Sequence, residues 1–207
     1  MPPRGEQRRR LLAFCAVTAA TVPLAGPAAI AALPPSKPIV LADPAGDVSG
    51  PLDIQRAVVS RASDGRLRTV VTFVGAVTPK DLLAGTGPPG SACVRIWTAP
   101  DADPTSMRPD RLVCLTAGKD EKLRAGVFAQ RDAGLPRRTG AASVKAGSNG
   151  RSFAIRVSQS ALGRPALIRF AIESTQPGCE RLTCIDNVPD GGAVRRFRLR
   201  PAAPKAA

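Results

Sequence analysis

Residues 152–157 read SFAIRV and residues 167–173 read LIRFAIE. In the first stretch Phe153, Ile155 and Val157 alternate with Ser152, Ala154 and Arg156. In the second Ile168, Phe170 and Ile172 alternate with Leu167, Arg169, Ala171 and Glu173. Side chains along a strand point alternately to opposite faces, so a period of two with one largely polar face marks a strand half-buried against a core. Between the two, residues 158–163 suit a single helical turn.

The neighbouring segments carry the same signal. Ala193 to Arg200 reads as a strand with Phe197 and Leu199 inward and Arg196, Arg198 and Arg200 outward. Upstream, residues 52–61 and 66–74 flank Ser63-Asp64-Gly65, a hairpin signature. Thr78-Pro79-Lys80-Asp81 predicts one helical turn, with Thr78 as N-cap, Pro79 at N1 and Asp81 at N3. Residues 92–98 read as a strand with Val94 and Ile96 on one face and Cys93 and Trp97 on the other. Residues 111–117 and 122–131 make two more, joined by Gly118-Lys119-Asp120-Glu121. Residues 85–91, 100–110 and 132–140 read as loops. About nine short strands, one or two short helical turns and no long amphipathic helix predict an all-β fold. The expected architecture is an antiparallel, jelly-roll-like β-sandwich over residues 39–200.

The ends read differently. Residues 1–10 carry Arg4, Arg8, Arg9 and Arg10, and residues 11–33 carry no charge and turn rich in small side chains. A basic start, an apolar run and an Ala-x-Ala-like end form a secretion signal over residues 1–32. The run is long enough to span a bilayer, but Pro23 and Pro27 suit a cleaved signal better than a stable membrane helix. Residues 33–38 form a linker, and residues 201–207 a disordered tail. A secreted or cell-envelope location follows as an expectation, with membrane contact only through an uncleaved signal.

Removing the signal leaves 26 Lys and Arg against 15 Asp and Glu in about 175 residues, one domain's worth of chain. It also removes Cys15 and leaves Cys93, Cys114, Cys179 and Cys184, an even set. In an exported chain these read as disulfides, with local pairing Cys93–Cys114 and Cys179–Cys184. A four-thiolate zinc site is the alternative, but Cys93 and Cys114 stand too far apart in sequence for the usual ligand spacing.

Two acidic loops stand out. Residues 43–54, DPAGDVSGPLDI, hold Asp43, Asp47 and Asp53 with two glycines; residues 186–192, DNVPDGG, hold Asp186 and Asp190. Carboxylates and backbone carbonyls suit a hard cation such as Ca²⁺, and glycine lets the chain wrap it closely. If the two ends of the domain meet, the loops share one site. The alternative is a pair of turns closed by Asx hydrogen bonds. No other cofactor is required by either reading.

The DPAGD–SGPLDI opening, followed by a hairpin and a series of short strands, resembles exported bacterial β-sandwich domains. These are similar to family-nine carbohydrate-binding modules and DOMON-like domains. The resemblance covers mainly residues 43–74. It implies a jelly-roll-like sandwich that binds a ligand without catalysis. The chain departs from the pattern in its aromatics: it has no Tyr, and Trp97 is its one Trp. Trp97 reads as packing, or as the one Trp available to stack on a sugar.

The absence of His excludes Ser-His-Asp and Cys-His catalysis, a His general base and His metal ligands. A carboxylate-based hydrolase remains open in principle, yet most acids sit beside Gly or Pro in turn-like contexts. The expectation is a secreted, non-catalytic binding or structural module. Its alternative is a polyanion- or glycan-binding module that uses Trp97 and the face of Arg196, Arg198 and Arg200. Such a face would attract anionic envelope polymers or acidic glycans. Nucleic acid fits less well, because single-strand surfaces add aromatic platforms.

Overall fold

A computed structural model describes residues 37–99, 101, 103–105, 108–131, 136–179 and 184–199. The expected signal, most of the linker, Arg200 and the tail lie outside these residues. Eleven strands run in chain order: β1 (Ile39–Ala42), β2 (Ile54–Arg61), β3 (Leu67–Phe73), β4 (Ser91–Trp97), β5 (Arg111–Ala117), β6 (Leu123–Ala129), β7 (Arg137–Ala146), β8 (Ser152–Val157), β9 (Leu167–Thr175), β10 (Ile185–Val188) and β11 (Arg195–Arg198). Three short 3₁₀ turns, Pro79–Leu82, Ser160–Leu162 and Asp190–Gly192, complete the described regular structure. No helix among the described residues is long and apolar enough to cross a membrane.

The all-β, antiparallel expectation holds, with more strands than expected. Hydrogen bonding is continuous: the order is β1-β2-β3-β8-β7-β6-β5-β4-β9, with β10 and β11 both on the outer edge of β9. The two layers of the expected sandwich are therefore parts of one sheet, curled nearly into a barrel. β10 pairs with Ile172–Thr175 and β11 with Leu167–Phe170, so together they act as one interrupted edge strand. The seam lies between this strand and the β1-β2 end, where the Ile54 amide of β2 donates to Asp186 Oδ2 of β10 at 2.6 Å.

The alternation that predicted the strands fills the interior. Phe153, Ile155 and Val157 of β8 meet Leu67, Thr69, Val71 and Phe73 of β3, all buried. Phe73 and Phe153 pack edge to face at 5.9 Å, an arrangement their ring quadrupoles favour. Ile168, Phe170 and Ile172 of β9 join Val94, Ile96, Val113, Leu115 and Phe197 in the same core.

The local signals behave as their chemistry requires. The β2–β3 connection turns through Gly65 at φ 78, with the Gly65 amide donating to Ala62 O and the Arg66 amide to Asp64 Oδ1. Both the amide and the hydroxyl of Thr78 donate to Asp81 Oδ2 at 2.7 Å. The disulfides pair as expected, Cys93 with Cys114 and Cys179 with Cys184. Joined thiols leave no thiolate set for zinc, and two disulfides fit an oxidising environment. Cys93 and Cys114 are direct partners across β4 and β5, on the face away from the main core.

Three strands differ from the sequence reading. β1, only four residues long and beside the Pro-rich linker, carries no strand signal of its own. β7 begins inside residues 132–140, read as loop, and continues through Ala, Ser and Gly positions too small to show an apolar period. β10 was read as an acidic loop because its inward positions are Asp186 and Val188.

Candidate metal centre

β1 ends at Ala42 and delivers Asp43, whose amide donates to Gln55 O at 3.1 Å. The chain then leaves the sheet for the loop that returns at Asp53, immediately before β2. Gly46 and Gly50 take φ 88 and 121 in this loop, a backbone region open to glycine and strained for other residues. Val48 and Leu52 bury their side chains and pin the loop to the body. Asp53 braces it from within: its Oδ2 accepts the Gly46 amide at 2.8 Å. From the far end of the chain, β10 brings Asp186 to the same place, 1% exposed and facing inward opposite Ser174 of β9. The Ser174 hydroxyl donates to Leu52 O, tying β9 to the loop.

Ligand oxygens of Asp43, Asp47 and Asp186 lie within 4.8 Å of one another. Asp43 is 9% exposed, while Asp47 reaches solvent. Both oxygens of Asp43, Oδ1 of Asp186 and Oδ1 of Asp53 are buried without a hydrogen-bond partner. No Lys or Arg among the described residues forms an ion pair with these acids. Ionised carboxylates gathered away from water without a counter-charge are strongly unfavourable.

The protonation of the group reflects that conflict. Burial, then the neighbouring Asp186, with Asp190 and Asp47 adding to the field, pushes Asp43 up to about 8. Asp186 is pushed up to about 6, chiefly by burial, although the Ile54 amide favours its ionised form. Without a cation, burial and mutual repulsion favour a proton on Asp43 over a fully ionised pair. A divalent cation would replace that proton and supply the missing partner for several oxygens together. The donor set is all oxygen and part-exposed, which suits Ca²⁺ better than a thiolate- or imidazole-seeking metal.

All five acids singled out from sequence belong to this region, in different roles. Asp43, Asp47 and Asp186 converge, Asp53 braces the loop, and Asp190 is exposed in the 3₁₀ turn after Pro189. Ser174 and Gln176 were missed. Ser174 continues the inward phase of Ile168, Phe170 and Ile172, so a polar residue at that register was the available signal. Gln176 is buried with both amide heavy atoms unpartnered, and a Cβ on Gly50 would fall 2.7 Å from its Oε1. The acidic loop therefore needs glycine there for its φ, and a side chain would also have to displace the end of Gln176.

The other predicted positions separate. Trp97 is a correction to the ligand-stacking reading: it is 2% exposed, packs with Ala171, Ala99 and Val194, and has the Arg95 guanidinium 5.2 Å from its ring centre. No ring face is left for a sugar. Arg196 and Arg198 are exposed on the outer side of β11, as their alternation predicted. Glu173, on the outer face of β9, pairs with Arg95 at 3.4 Å, and burial raises its carboxyl above the ordinary value despite that cation. Asp43 and Asp186 do face each other, but inside the seam, and neither lines any of the three described surface cavities. No family model matches the chain, and no curated protein matches it.

Proposed function

We propose that the protein is an exported, non-catalytic β-module whose sheet seam is closed by a bound Ca²⁺. The observation that carries this reading is the convergence of Asp43, Asp47 and Asp186 within 4.8 Å, with buried oxygens that no described donor satisfies. Asp43, Asp47 and Asp186 would hold the ion, Asp53 would keep the loop in shape, and the open side at Asp47 leaves room for water or backbone oxygens. Two disulfides and the signal-like residues 1–32 support export. The resemblance of residues 43–74 to carbohydrate-binding and DOMON-like modules supports binding over catalysis. So does the position of the acid pair inside the seam instead of across a cleft.

Calorimetric titration tests the reading. Purified, chelator-treated protein is expected to bind Ca²⁺ with a stoichiometry of one, and Asp186→Asn to abolish the heat. Asn keeps an acceptor for the Ile54 amide, so the variant removes charge and leaves the seam hydrogen bond. Failure of the wild-type protein to bind Ca²⁺ while remaining folded would refute the metal site.

A further inference from the structure

The charges are distributed unevenly around the sheet. The acids inside the fold gather at the seam, and Glu173 of β9 pairs with Arg95 of β4. By contrast β1, β2, β3, β8 and β7, five neighbours in the sheet, contain no Asp or Glu at all. Their outer face carries Arg56, Arg68, Arg156 and Lys145, none of which has an ion-pair partner among the described residues.

The register fixes how these cations stand. Arg68 of β3 and Arg156 of β8 are direct cross-strand partners, flanked by Ser60 of β2 and Ser143 of β7. The next outer row is Val40, Val58, Val70, Ala154 and Lys145. The row beyond runs Ala42, Arg56, Thr72 and Ser152. Like charges placed directly opposite are destabilising in a sheet, so Arg68 and Arg156 are an arrangement that packing alone does not call for. An anionic ligand laid across both would remove the repulsion.

We infer that this face binds a linear acidic polysaccharide. Its chemistry favours that occupant over other polyanions. In these outer rows the largest uncharged side chain is valine, so nothing is present to insert into a bilayer or to stack on a base. The face offers cations and hydroxyls at strand spacing, about 4.8 Å from one strand to the next. Carboxylates along a sugar chain can pair with the arginines while ring hydroxyls meet the Ser and Thr rows. This surface is built from strands distinct from β10 and β11, and its ligand needs no aromatic platform.

The test compares Arg68→Thr/Arg156→Thr with a charge-matched control, Lys119→Ser/Lys122→Ser, in the β5–β6 region. Thr opposite Thr is a favourable sheet pair, so the double variant is expected to fold with an unchanged or higher unfolding midpoint. Binding is measured to hyaluronate, neutral dextran, duplex DNA and phosphatidylglycerol vesicles at low and moderate salt. The expected result is hyaluronate binding that weakens with salt, is about tenfold or more weaker in the arginine variant, and is retained by the control. Dextran is expected not to bind. No wild-type binding to hyaluronate, equal loss in the control, or tighter binding to DNA or vesicles than to hyaluronate would overturn the inference. None of these outcomes depends on the Ca²⁺ titration, since no acid of the seam lies on this face.

Discussion

Asp43 is the residue on which the chemistry of the seam turns. Its folded-state carboxyl is raised to about 8 and that of Asp186 to about 6, against an ordinary value near 3.9 in an unfolded chain. Between about pH 4 and pH 8 the metal-free folded protein therefore holds more protons than the unfolded chain. Its stability must fall as pH rises through that window, and the penalty is fully in force above about 8. Chemical denaturation in chelator is expected to show a loss on the order of 1–3 kcal/mol between about pH 5 and pH 8. The loss should be smaller in Asp43→Asn, because an amide holds no ionisable proton and only the part due to Asp186 remains. A metal-free wild-type protein that gains stability over this range would contradict the assignment. Asp43, Asp47, Asp53, Asp186 and Asp190 are legible in the sequence as two acidic loops, candidates for a hard cation or for Asx turns, because Asp with Gly in tight loops is a local signal. Their division into ligands and brace was not readable, since it depends on a contact between residues 54 and 186 that only the closed sheet creates.

Strands with large inward side chains, such as β3, β8 and β9, announced themselves through alternation. β7 and β10 did not, for opposite reasons: β7 presents small residues on both faces, and β10 spends an inward position on Asp186. Turns were readable where their chemistry is local, as at Gly65 and in the Thr78–Asp81 cap. The β5–β6 turn shows a departure. Glu121 closes it at φ 54, with its amide donating to Gly118 O at 2.9 Å. A left-handed conformation costs a side chain about 1 kcal/mol relative to glycine. The exposed pair of Glu121 with Lys80, at 3.8 Å, returns little of that. Glu121→Gly is therefore expected to stabilise the protein by about 0.5–1 kcal/mol, read as a higher midpoint in urea. A lower midpoint would show that the turn draws more from Glu121 than this geometry shows.

For the molecule as a whole, the first and last strands of a nearly closed sheet must be held together. Hydrogen bonds do part of this: Asp186 accepts from Ile54, Ser174 donates to Leu52 O, and Gln159 bridges Gly65 O and Leu199 O. The carboxylates at the same seam, gathered without a counter-charge among the described residues, oppose closure. The composition, with no His and a large excess of Arg, sets aside histidine chemistry and points to carboxylates or basic faces. It could not show that the two would occupy separate regions, with the acids drawn into the seam and the β1-β2-β3-β8-β7 strands left with cations and no acids. Thermal unfolding in Ca²⁺ and in chelator puts the closure to the test. At about one hundred times the dissociation constant, an ion that binds only the folded chain adds about 2.7 kcal/mol, or roughly 5–10 °C for a domain of this size. The midpoint of the wild-type protein is predicted to rise by that amount, and those of Asp43→Asn and Asp186→Asn to stay where they are. Superimposable wild-type curves in Ca²⁺ and in chelator would contradict a metal-closed seam.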